Sequence, residues 1–113
     1  MKKMTGSRKA CVGLLHEEAA GRELAGRLEA EGYDVFPVEP GPAAEMMMAA
    51  NAMDAWLFDA RLGEYVDALL ATDRFILPLD NTPALGTGAE IHDWCEGLIR
   101  QLRDAVPPAI TAG

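Results

Sequence analysis

The sequence predicts an α/β domain whose parallel sheet is covered by helices on both faces. Three observations lead there. Short continuous apolar runs of strand length end abruptly in polar residues, as in "ACVGLL" (10–15) and "DAWLFD" (54–59), the pattern of strands buried on both faces. Helical patterns lie between those runs at short intervals, which calls for right-handed crossovers and hence parallel pairing. The last helix is strongly amphipathic: Ile91, Trp94, Cys95, Leu98, Ile99, Leu102, Ala105 and Val106 follow the spacing of one apolar face.

Taken in order, residues 10–15 form the first strand and "AAGRELAGRLEAEG" (19–32) the helix after it, with Leu24 and Leu28 one turn apart and Gly32 as its stop. "YDVFPVE" (33–39) is aromatic and β-branched, but Pro37 cannot donate to a ladder, so this is an edge strand. "PGP" breaks the chain before "AAEMMMAANAM" (43–53), a run of helix formers. Residues 54–59 are an interior strand, 64–71 a short helix, and "RFILPL" (74–79) a further strand with a late proline. "DNTPALGTGA" (80–89) is loop chemistry. Four strands can be counted, with a fifth left open, in the flavodoxin-like order 2-1-3-4(-5). The expected organisation is a flexible N-terminus (1–9), one domain (10–106) and a tail or linker (107–113).

A chain of 113 residues, half of them hydrophobic and a quarter charged, is long enough to bury a core without staples. Cys11 and Cys95 lack ligand spacing and read as buried small hydrophobes in a reducing compartment. A formal charge of −8 repels phosphate backbones, which excludes nucleic acid as the expected partner. The N-terminal apolar run is about five residues, shorter than the roughly 7–15 of a secretory signal. No stretch approaches the ~20 apolar residues of a membrane span, so no membrane partner is expected and the reading is cytoplasmic.

In an open parallel sheet, ligands bind beyond the carboxyl ends of the strands where the strand order reverses. Here that crevice lies between the first and third strands, and His16, Glu17, Glu18 and Asp59 converge on it. Each acid also reads as a helix cap or solvated loop residue. Among weaker signals, "GTG" (86–88) reads as turn chemistry before an anion nest, and Met46, Met47 and Met48 as core with partial exposure. Trp56 and Trp94 read as core, and His92 as helix surface.

"VGLLHEEAAGREL" and "DAWLFDARLGE" resemble the first and third strand motifs of bacterial response-regulator receiver domains. The resemblance implies a phosphoacceptor at Asp59, an acidic pair at His16 and Glu17 with Glu18 beside it, and a hydroxyl position near Asp80, Asn81 and Thr82. "AWLFDA", "VDALL" and "WCEGLIRQL" are similar to the divergent N-terminal domain of chemotaxis methylesterases linked to type IV pilus clusters. That likeness implies a regulatory role, with any methylesterase catalytic domain outside this segment. Ser7 is the only serine, so no nucleophile elbow is present. The resemblance implies a protein partner, a histidine kinase or a downstream effector domain.

The departures from that pattern point to a pseudo-receiver. His16 replaces a carboxylate, and imidazole suits Mg²⁺ poorly. No lysine follows Lys9, where receivers place one against the phosphoryl group; Arg100 and Arg103 are the candidate substitutes. An aspartyl phosphate brings about two negative charges next to Glu17 and Glu18, and like unit charges about 4 Å apart repel by about 4 kcal/mol at an effective dielectric near 20. No cofactor is expected; Mg²⁺ is the one ion the resemblance brings in, with Glu17 and Asp59 as ligands if it binds. The alternatives are a phosphorylation-competent receiver and a flavodoxin-like protein binding a small molecule or nucleotide.

Overall fold

The computed structural model describes residues 7–16, 19–80 and 88–111. Cys11–Leu15 (β2) lies at the centre of a four-stranded parallel sheet. Asp34–Val38 (β3) pairs on one side of it and Ala55–Asp59 (β4) on the other, with Phe75–Leu79 (β5) beyond β4. The resulting order, β3-β2-β4-β5, matches the expected 2-1-3-4. No fifth strand joins this sheet among the described residues.

Side-chain alternation sends the two faces of each central strand into separate cores. Val12, Leu14, Ala55, Leu57, Leu77 and Leu79 pack beneath Ala19–Ala30 (α1) and Gly88–Ala105 (α4). Leu15, Trp56 and Phe58 pack on the other side, with Met48 of Pro42–Ala50 (α2) and Leu69 of Val66–Ala71 (α3). Burial on both faces is why β4 is buried at every position and reads as an unbroken apolar run.

The helix ends follow local chemistry. Gly32 has φ +105, and the N–H of Tyr33 reaches back to the Leu28 carbonyl at 3.1 Å, so α1 stops where the glycine predicts. Asn51 takes the left-handed conformation that closes α2. The expected helix at 64–71 begins as a 3-10 turn over Gly63–Tyr65 before α3.

Within the stretches expected as a flexible N-terminus (1–9) and a tail or linker (107–113), the described residues include two short strands. Ser7–Lys9 (β1) pairs antiparallel with Ala109–Thr111 (β6). Pro107 and Pro108 break the chain after α4, and the N–H of Ala10 donates to the Pro108 carbonyl at 2.8 Å. Arg8 forks onto Asp54 at 2.7 and 2.8 Å, and the same carboxylate accepts the Cys11 N–H at 2.7 Å. Two strands of three residues are too short to show a periodicity, so the pairing left no sequence signal.

Candidate functional site

Because β2 and β4 are adjacent and parallel, their carboxyl ends share one rim. The chain continues from β2 through α1 to β3 on one side, while β5 lies on the other, so the rim between β2 and β4 is the switch point of the sheet. His16 is the first residue past β2 and Asp59 the last of β4. Their side chains meet there, Nε2 to Oδ2 at 3.8 Å.

Both are enclosed. The His16 side chain is fully shielded; a Cβ on Gly21 of α1 would stand 2.8 Å from its Nδ1, so the imidazole fills the space that this glycine leaves. Trp94 of α4 meets the imidazole edge-on, with ring centroids 6.4 Å apart. Its indole N–H donates to the Asp80 carbonyl at 3.1 Å, which ties the second turn of α4 to the residue that follows β5. Asp80 therefore reaches the rim through its backbone, while Glu17, Glu18, Asn81 and Thr82 lie outside the described residues.

Asp59 is 3% exposed, and the group that pairs with its buried carboxylate is Arg61, two residues on. The Arg61 backbone N–H donates to Oδ1 at 3.0 Å. Its Nε donates to Oδ1 at 3.0 Å and its Nη2 to Oδ2 at 2.6 Å. This side-on fork matches both carboxylate oxygens at once. The Arg61 hydrogen bonds hold the Asp59 carboxyl below its ordinary range against the opposing pull of burial, and His16 adds a smaller effect in the same direction as Arg61.

Arg61 lies in "DARLGE" (59–64), where no periodicity or family motif marks it. An arginine two residues past a strand-ending aspartate is the available signal, because a tight turn folds i+2 back onto i; here the Leu62 N–H donates to the Asp59 carbonyl at 2.8 Å. The expected substitutes for the missing lysine do not serve Asp59. Arg103 pairs with Glu31, in the turn after α1, and Arg100 is exposed on α4.

As arranged, these donors do not suit Mg²⁺. Both Asp59 oxygens face a guanidinium, and the neighbour at 3.8 Å is an imidazole, whereas Mg²⁺ demands hard oxygen ligands in near-octahedral array. Among the described residues no three His, Cys, Asp or Glu side chains converge as a metal site. What the rim can do as it stands is hold an ionised carboxylate in a closed, charge-matched socket.

An open cleft of about 560 Å³ lies to one side of this rim, lined by His16, Arg22, Pro37, Val38, Glu39 and Pro40 at the end of β3. Of "GTG" only Gly88 is described, at the start of α4. Met48 is buried, Met47 half-buried and Met46 73% exposed. His92 is exposed and accepts a hydrogen bond from Arg27 at 3.2 Å. Cys95 is buried as expected, whereas Cys11, at the start of β2, is only half-buried. Burial raises both thiols above their ordinary range.

No protein-family model, characterised protein or solved structure matches the chain. Among the described residues no helix is long and apolar enough to cross a membrane.

Proposed function

We propose that this chain is a receiver-like regulatory domain of the bacterial two-component and chemosensory type, acting by protein–protein contact, with Asp59 at the phosphoacceptor position but held out of phosphoryl chemistry. The observation that carries the reading is the Arg61 fork on a carboxylate that is 3% exposed at the switch point. An acceptor oxygen must approach phosphorus in line, with cations placed on the transferring group. Here each oxygen accepts from the guanidinium and the His16–Trp94 pair closes one flank. Transfer would require Arg61 to leave and a buried carboxylate to stand unpaired while the donor docks. A kinase or effector domain then reads the folded surface of this domain rather than a phosphate on it. If the domain serves a methylesterase, its part is regulatory.

The reading is tested by incubating the protein with Mg²⁺ and acetyl phosphate, and separately with beryllofluoride, and following intact mass and backbone chemical shifts. The expected result is an unmodified chain with no shifts around Asp59. A mass gain of one phosphoryl group, abolished by Asp59→Asn, would establish the phosphorylation-competent alternative. A specific, saturable thermal shift with a flavin or nucleotide would favour the small-molecule reading, with the cleft beside His16 as its site.

A further inference from the structure

The two helical layers differ in what they offer to solvent. On the α1 and α4 side, charges pair across the surface: Arg27 with Glu23 and His92, and Arg103 with Glu31. On the other side the exposed residues of α2 are Pro42, Ala43, Met46, Ala49 and Ala50 with the single charge of Glu45. A shallow groove of about 340 Å³ runs between α2 and α3, lined by Glu45, Met48, Ala49, Ala68, Ala71 and Thr72. The surrounding charge is predominantly acidic, with the exposed Arg74 beside the groove at Asn51, one of its lining residues. Residues 39–73 contain seven acids and one base; Glu39, Glu45, Glu64, Asp67 and Asp73 are exposed, while the base, Arg61, is held on Asp59. Arg74, the next basic residue, donates to Asn51 at the end of α2.

We propose that the α2–α3 face is a docking surface for a basic amphipathic helix of a protein partner. This deepens the protein-contact reading above and rests on it. The groove is lined by three alanines and Met48 together with the polar Glu45, Asn51 and Thr72; the alanines are small enough to let a helix approach, and the methionine can adapt to its apolar side chains. The acidic surround selects lysine and arginine on the flanks of that helix and repels nucleic acid and anionic lipid. A second copy of this chain is disfavoured for the same reason, since it would bring the same acidic face.

The test uses the whole chain and a fluorescent synthetic peptide of about 18 residues, leucine on one helical face and lysine elsewhere, with a scrambled peptide of equal charge as control. The expected result is saturable binding at least tenfold tighter than the control, with chemical-shift changes confined to α2, α3 and the groove between them. Ala49→Arg, on an exposed helical position, weakens binding at least tenfold while the circular dichroism spectrum is unchanged. Absence of binding, equal binding of the scrambled peptide, shifts mapping to α1 and α4, or indifference to Ala49→Arg would each overturn the proposal. Phosphoryl transfer to Asp59 with peptide binding intact would sink only the earlier reading; an unmodified Asp59 without peptide binding would sink only this one.

Discussion

A single guanidinium decides the character of the rim. Hydrogen bonds to a buried charged group contribute about 1.5–3 kcal/mol, but the Arg61 side chain is 64% exposed, so solvent screening brings the expected contribution down to about 1–2 kcal/mol. Arg61→Ala is therefore expected to lower stability in urea by that amount at neutral pH. The sign of its pH dependence follows from Asp59, whose native carboxyl lies below its ordinary value. Such a group stabilises the fold above the unfolded pKa of about 3.9, and that stability is lost as pH falls through the native pKa. The gap between wild type and Arg61→Ala should thus close through the acidic range. Urea midpoints measured across that range check it; a constant gap would mean that Arg61 acts through packing instead.

Between elements, a glycine makes room for a large neighbour where β2 lies beside β4. Gly13 and Trp56 are register partners, and a Cβ on Gly13 would stand 2.5 Å from the ring atoms Cε3 and Cζ3 of Trp56. The indole is fully buried, so its ring cannot swing outward. Gly13→Ala is expected to cost about 1–3 kcal/mol by overpacking, read as a lower urea midpoint with an unchanged slope. Restoration of stability in the double variant Gly13→Ala, Trp56→Phe would confirm the ring as the cause. At the opposite end of the sheet, Asp54 ties β1 to β2 and β4 through Arg8 and the Cys11 N–H. That fork holds Asp54 below the ordinary carboxyl range, with the Arg8 hydrogen bonds as the main cause.

For the molecule as a whole, the open question of any parallel sheet is its two edges. Both edge strands carry proline at their fourth position, Pro37 in β3 and Pro78 in β5. Each sits in a paired register, Pro37 opposite Leu14 and Pro78 opposite Phe58, which a proline tolerates only where its nitrogen faces away from the ladder. Each edge thereby lacks a donor that another strand would need. The double variant Pro37→Val, Pro78→Val should increase concentration-dependent association, measured by light scattering after gel filtration. Unchanged monodispersity would show that the edges are protected by other means.

The sequence by itself determined the four strands, the helices between them and the polarity of the sheet, because apolar runs and helical spacing are local patterns that burial on two faces imposes directly. It also placed His16 and Asp59 at one rim, since parallel strands deliver their ends to the same side. Tertiary structure alone decided what those residues meet. The packing of His16 between Gly21 and Trp94 and the β1–β6 ribbon depend on contacts between distant segments, and no periodicity records which short strands find each other; the fork of Arg61 onto Asp59 is local, but its geometry is set by the turn after β4.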